Sequence, residues 1–362
     1  MRSLLLFMFV HCIDAHQRKN VGLTMNSHWR NPHHAVAHHT YFIYDLLERS
    51  DKWEPTLLIP EHNLSKKIEW RGTKYRVKYI FDYSDMDVVV EAGGTFTDNN
   101  LKASYPHIKN VHFNQGPFYF AHMDGLRQNE SVALQNTRRF DAIWVTPQYE
   151  WQAPYMSEWT RTDKWAVTPY LWSPKRMSKT TQYQPGTADR IGVYETNRGV
   201  YKMSMVPIMI GNRAYRRGTN ISYFEVAGVK PIWNQYFKDI LKDMDLDIRA
   251  IPGLVYIPQH YSEQQIGTIV SHHLRNGLNY LHLEALYMNM SLVHNSEFIQ
   301  DCGYYYHEFD IEEGARVLQH AMDTHDQQLD RYAAASAKCL WRYAPEHPEN
   351  LKAYEKLLDD LF

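Results

Sequence analysis

Apolar positions along this chain fall into short unbroken runs separated by stretches of helical spacing. KNVGLTM (19–25), WEPTLLIP (53–60), MDVVVEAGG (86–94), NVHFNQG (110–116) and DAIWVTP (141–147) are the runs of the first half. A short unbroken run closed by glycine or proline predicts a strand covered on both faces, as in a parallel sheet. Residues 34–49 put Val36, Tyr41, Phe42, Leu46 and Leu47 on one side, which predicts a helix. A polar segment rich in Pro, Ser and Thr, WSPKRMSKTTQYQPGTAD (172–189), reads as a linker.

After it the pattern restarts. RIGVYE (190–195) predicts a strand, and 199–218 a helix kinked at Pro207 and stopped by Gly218. ISYFEVAG, LDIRAI, LVYIP, GTIVSHH and SLVHNS are strand candidates, with helices expected over 280–290, near 311–328 and over 347–362. Strands alternating with helices predict an α/β fold in two units, 18–180 and 186–346, preceded by an extension or weak leader at 1–17. Two such units enclose a cleft, and ligands bind at the carboxyl ends of the strands.

Composition narrows the partners. The formal net charge of −2 carries no electrostatic footprint for nucleic acid. Aromatic residues reach 14%, with 26 Tyr and 10 Trp, which suits stacking surfaces for sugars or bases. Cys12, Cys302 and Cys339 are odd in number and far apart, which argues against disulfides and for a reducing, cytoplasmic compartment. Arg2 followed by Leu4–Val10 has the form of a short secretory leader, the less favoured reading, and is far too short for a membrane span. Of the Asn-x-Ser sequons, Asn289 falls in an apolar run and is expected to be buried.

Candidate chemistry concentrates in HHLRNGLNYLHLEALYMNMSLVHNS (272–296), where strand, glycine loop, helix and strand follow one another. That layout points backbone N–H groups and a helix N-terminus at an anion. Gly277 permits a close approach, flanked by Leu278 and Asn279. Glu284, about two turns into the expected helix, either receives hydrogen bonds from a ribose diol or pairs with a nearby cation. Asn295 and Ser296 end the next strand on the same rim. His34 and His38 stand one helical turn apart, but no Cys and no carboxylate before Asp45 completes a metal set. Glu91 ends one buried strand, and Asn114 and Gln115 end the next, where they would meet acceptor hydroxyls. Asp85 and Asp87 stand at the wrong end of their strand for the cleft. Tyr304, Tyr305 and Tyr306 read as a packed strand, and Arg213, Arg216 and Arg217 as a solvated helix end.

The glycine loop and helix resemble the donor half of GT-B glycosyltransferases. In the retaining clan that includes glycogen synthase, two glutamates eight positions apart frame this loop. Glu284 matches the second, which in that clan holds the ribose, and Asn276 stands where the first would be. Longer segments, RIGVYETNRGVYKMSMVPIMIGNRAYR, GLNYLHLEALYMNMSLVHNS and CGYYYHEFDIEEGARVLQHAMDTHD, resemble a little-characterised family of GT-B glycosyltransferases found in bacteria and in large DNA viruses of algae. The resemblance implies two Rossmann-like domains facing a cleft, with 18–180 on the acceptor side, 186–346 holding the nucleotide sugar, and 347–362 crossing back to the first domain. It implies a metal-independent transfer from a nucleoside diphosphate sugar to a glycan hydroxyl, with no cofactor. Donor-binding residues would be Asn197, Arg198, Lys202, Asn276, Gly277, Leu278, Asn279 and Glu284, and Asn114 and Gln115 would bind the acceptor. His34, His38, His39 or Glu91 would serve as base, histidine because its pKa lies near working pH. The clan favours retention of configuration, and Asn276 weighs the other way. If the protein is viral, its compartment is the host cytoplasm. A sugar-nucleotide epimerase on the same fold and a non-catalytic nucleotide- or glycan-binding protein are the rival readings.

Overall fold

A computed structural model describes residues 18–25, 35–61, 67–70, 72–93, 101–128, 140–177, 182–255 and 257–362. The segment 1–17, His34 and part of the expected linker lie outside these residues.

The first unit is built on an eight-stranded sheet: β1 (Lys19–Met25), β2 (Trp53–Ile59), β3 (Lys67–Trp70), β4 (Thr73–Tyr79), β5 (Val88–Gly93), β6 (Lys109–Asn114), β7 (Ala142–Val145) and β8 (Trp165–Val167). Their order is β3-β4-β2-β1-β5-β6-β7-β8, parallel throughout except for the β3–β4 pair. The central strands are the unbroken apolar runs. Val21, Leu23, Val88, Val89 and Val90 are all within 1% of full burial, as a sheet covered on both faces demands. Helices α1 (Ala35–Leu47), α2 (Leu101–Ser104), α3 (Phe118–Gln128) and α4 (Ala153–Thr160) link these strands.

The second unit has a six-stranded parallel sheet: β9 (Arg190–Val193), β10 (Tyr223–Ala227), β11 (Arg249–Ile251), β12 (Thr268–Val270), β13 (Ser291–His294) and β14 (Tyr304–Tyr305), ordered β11-β10-β9-β12-β13-β14. Its helices are α5 (Met205–Arg216), α6 (Gln235–Lys242), α7 (Ile257–Gln264), α8 (Tyr280–Tyr287), α9 (Ile311–Thr324), α10 (Leu329–Trp341) and α11 (Pro348–Asp359). Helix α5 packs closely because position 211 is glycine: a Cβ there would lie 2.3 Å from the Phe224 ring on β10. In both sheets the strand order reverses at the first strand of the unit, β1 and β9, and their carboxyl ends mark the crevices where such sheets take ligands.

Helix α11 crosses to the first unit. Tyr354 donates to the Pro169 carbonyl at 3.2 Å, Ser50 donates to Glu355 at 2.6 Å, and the Trp53 indole donates to Asp359 at 3.2 Å. Tyr354 and Leu358 are fully buried by this packing.

Several expectations change. Pro207 is the third residue of α5, inside the first turn, where backbone N–H groups have no helical partner to lose, so it starts the helix instead of kinking it. The described residues of LVYIP form no strand, and Ile257 opens α7. The stretch 329–341, for which no helix is expected from its pattern, is α10. Asn289 is half-buried at a left-handed turn, its amide donating to Gln182 at 3.1 Å. Cys302 and Cys339 are joined by a disulfide across 37 residues, because α10 returns against the loop that follows β13. The reducing compartment inferred from unpaired cysteines loses its basis. No helix among the described residues is long and apolar enough to cross a membrane.

Candidate functional site

The two reversal points face each other, and the chain between β9 and α5 comes first on the second unit's side. Glu195 follows β9 and is buried. It accepts a hydrogen bond from the Ser271 hydroxyl at 2.6 Å and pairs with the His273 Nε2 at 2.9 Å, both at the end of β12. Burial pushes the Glu195 carboxyl upward, but His273, the Ser271 hydroxyl and the Lys202 ammonium outweigh it and hold the group below its ordinary value. His273 also donates from Nδ1 to the Asn276 carbonyl at 2.9 Å, so both ring nitrogens meet acceptors. His282 of α8 stacks on His273 at 4.8 Å and reaches Ser271 at 2.9 Å. Burial, with the charge of His273 next, drives His282 well below the ordinary histidine range, so it is neutral.

Asn197 sits at φ 52° with its amide spent internally: it donates to Glu195, Ser204 and Gly228, and accepts from the Ser204 N–H at 2.9 Å. It shapes the loop that presents Lys202. Arg198 is exposed at the rim. Lys202 makes no hydrogen bond or ion pair through its ammonium among the described residues. Burial lowers its pKa and Glu195 partly offsets that.

Lys202 lines a cavity of about 70 Å³ between the two units. From the first unit come His39, Gln115, Thr146, Gln148, Tyr149 and Tyr170; from the second come Lys202, Asn276, Leu278, Asn279 and Tyr280. Three hydrogen bonds cross between the units here. His39 Nδ1 meets the Tyr280 hydroxyl at 2.9 Å, the Tyr149 hydroxyl donates to Asn276 Oδ1, and Gln148 donates to the Leu278 carbonyl at 3.3 Å. Among the described residues, four buried polar atoms of the lining have no partner: His39 Nε2, Thr146 Oγ1, Gln148 Oε1 and Asn276 Nδ2. Burial takes the His39 pKa down to about 3, so the ring is neutral.

The other expected residues take definite places. Leu278 is buried, and Asn279 caps α8, its side chain accepting from the Leu281 N–H at 3.4 Å. Gly277 is a close approach to the protein itself: a Cβ would lie 2.9 Å from the Phe298 ring and 3.0 Å from Ser296 Oγ. Glu284 is one turn into α8, not two, and is not part of the cavity lining. It makes no hydrogen bond or ion pair among the described residues, and burial raises its pKa to about 8. The hydroxyls of Tyr170, Tyr261 and Tyr280 lie within its electrostatic reach. Asn295 clasps the backbone of His273, accepting from its N–H at 2.9 Å and donating to its carbonyl at 3.0 Å. On the first unit, His38 is buried on α1 and Glu91 is buried on β5. Asn114 donates to the Gly116 carbonyl at 2.7 Å, and Gln115 donates to the Ala92 carbonyl. Arg213 and Arg217 pair with Glu312, and Arg216 with Asp245.

Sequence reasoning passed over Glu195, Ser271, His273, His282 and Tyr149. The glutamate that ends RIGVYE and the paired histidines that end GTIVSHH were visible as polar residues closing buried strands, the same signal that singled out Glu91.

A family model described as "Protein of unknown function (DUF2827)" matches residues 21–358. The chain belongs to that family. No curated protein sequence matches it. Solved structures share its architecture. An alpha-glucosyltransferase in complex with UDP and a 13-mer DNA containing a HMU base superposes with a TM-score of 0.61 at 13% identity, covering 95% of this chain and 100% of that one. Sucrose-phosphate synthase from Thermosynechococcus elongatus gives 0.55 at 12% identity, covering 95% and 99%. OtsA in its apo form gives 0.51 at 11% identity, covering 95% and 99%. These neighbours are GT-B glycosyltransferases, and this DUF2827 chain has the GT-B fold: two Rossmann-like domains about a cleft, with a returning C-terminal helix.

Proposed function

We propose that this DUF2827 protein is a glycosyltransferase that moves a sugar from a nucleoside diphosphate sugar to a glycan hydroxyl without a metal ion. The observation that carries the reading is the convergence of four unpartnered buried polar atoms and an unpaired ammonium on one interdomain cavity. A buried polar atom left without a partner costs about 1–3 kcal/mol, so a native fold keeps such a set only where something polar fills it. A sugar with its ring of hydroxyls is that kind of filler.

Lys202 is the counter-charge for the departing diphosphate, with Arg198 at the rim and the His273–Glu195 pair behind it. The anomeric carbon–oxygen bond to phosphate breaks as the acceptor oxygen bonds the same carbon, and the acceptor proton passes to the leaving phosphate oxygen. His39, kept neutral, accepts a hydrogen bond through Nε2 and orients that hydroxyl. This route retains configuration. The cavity of about 70 Å³ is well under the roughly 300–1,000 Å³ of ligand pockets, so the donor enters by opening of the cleft, with the three crossing hydrogen bonds released.

The test is thermal stability against a panel of nucleotides and nucleotide sugars, with and without EDTA, on wild type, Lys202→Met and Glu284→Ala. A ligand at one hundred times its dissociation constant adds about 2.7 kcal/mol. One nucleotide family should stabilise the wild type equally in EDTA and lose its effect in Lys202→Met. No response to any nucleotide sinks the reading, and a response abolished by EDTA sinks its metal-independent form.

A further inference from the structure

Three aromatic side chains stand at the rim of the cleft outside any core. Trp151 is 40% exposed, and Tyr119 and Phe120 are half-buried beside it. Ring centroids lie 5.9 Å apart for Tyr119–Trp151 and 5.7 Å apart for Phe120–Trp151, edge-on or tilted. Phe120 stacks on Tyr201 of the second domain at 6.1 Å and 23°. Tyr119 and Phe120 open α3 after the carboxyl end of β6, and Trp151 lies in the turn after β7, so all three are on the cleft side of the sheet.

The ledge is continuous with the cavity. Gln152 ties its parts together, accepting from the Tyr119 N–H at 3.1 Å and donating to the Gly116 carbonyl at 2.8 Å. Tyr149, two residues before Trp151, lines the cavity and lies within electrostatic reach of Tyr201. Rings held rigidly by edge-on packing and left partly in water mark a binding surface.

We propose that this ledge binds sugar rings of the acceptor, which lay their C–H faces on the aromatic rings while the reacting hydroxyl reaches the cavity. The proposal rests on the glycosyltransferase reading above. A single-stranded polynucleotide also stacks on aromatic rings, but it needs a cationic groove along its phosphates. The charges around the ledge are mixed: Asp124 is paired with Arg127, Glu150 and Glu158 are exposed, and Arg198 stands beyond Tyr201. A neutral saccharide fits that balance.

The experiment compares wild type, Trp151→Ala and Trp151→Phe on a broad glycan array and with an oligothymidylate, alongside the nucleotide melting panel. Trp151 is exposed, so unchanged melting temperatures and nucleotide responses verify the fold and the donor site. The wild type should retain a glycan class, Trp151→Ala should weaken it roughly three- to tenfold, and Trp151→Phe should weaken it less. Absence of any retained glycan, equal binding by Trp151→Ala, or tighter binding of the oligothymidylate overturns the proposal. A wild type that ignores every nucleotide defeats the glycosyltransferase reading instead, and glycan retention still decides the ledge.

Discussion

Two groups of histidines differ in how the chain brings them together. Those of the first domain are crowded in sequence, with four between 33 and 39. Four of the second domain, His272, His273, His282 and His294, are spread over 272–294, yet His273, His282 and His294 follow one another at 4.8 Å and 5.7 Å. Parallel-sheet topology does this: the ends of β12 and β13 and the first turn of α8 meet at one point however long the chain between them. The first group offers to the cavity, through His39, a ring nitrogen with no partner among the described residues; the second supplies, through His273, half of a buried hydrogen-bonded pair with Glu195. Crowding in sequence is therefore a poor guide to which histidines cooperate.

The largest test of that contrast is His273→Ala. It removes one hydrogen-bond partner of the buried Glu195 and leaves it to Ser271 and Lys202, and should cost about 1.5–3 kcal/mol in urea unfolding. A loss no larger than that of a neutral hydrogen bond would show the pair to be incidental. Next comes the pH profile of stability. Glu284 is raised from 4.5 to about 8, so the folded state holds its proton more tightly. Its contribution is complete below the unfolded value and is lost as pH rises toward about 8. Glu284→Gln should flatten this alkaline limb alone. The histidines act on the other side: His272 and His294 fall to about 4 and His39 to about 3, so stability is lost as pH drops from 6.5 through those values. The smallest effect is His39→Gln, which trades one hydrogen bond to Tyr280 and should cost about 1 kcal/mol while weakening transfer to the acceptor more than donor binding. An equal loss of donor binding would move His39 out of the acceptor role.

The sheets were legible because buried parallel strands leave unbroken apolar runs, as in VVVEAG and SLVH. Helix α10 was not, because LDRYAAASAKCLW is rich in alanine and offers a narrow apolar stripe. LVYIP misled because a short apolar run reads equally as a strand or as the approach to a helix. The disulfide was illegible in principle: 37 residues of separation say nothing of distance once α10 doubles back. At the site, Lys202, Asn276, Leu278, Asn279, Gln115 and His39 were named from sequence and line the cavity. Glu195 and His273 were missed because a carboxylate and an imidazole far apart in the chain announce nothing until two strand ends are set side by side.

Helix α11 has a consequence for how the protein is made. The sheet of β1–β8 emerges from the ribosome before that of β9–β14, yet Trp53 and Ser50 find partners in Asp359 and Glu355, and Pro169 in Tyr354. The first of these two domains is thus sealed only after the whole second domain has been translated. Until then the surface around Trp53 lacks its cover, so a chain halted before residue 348 would carry a complete second sheet beside a first sheet without α11.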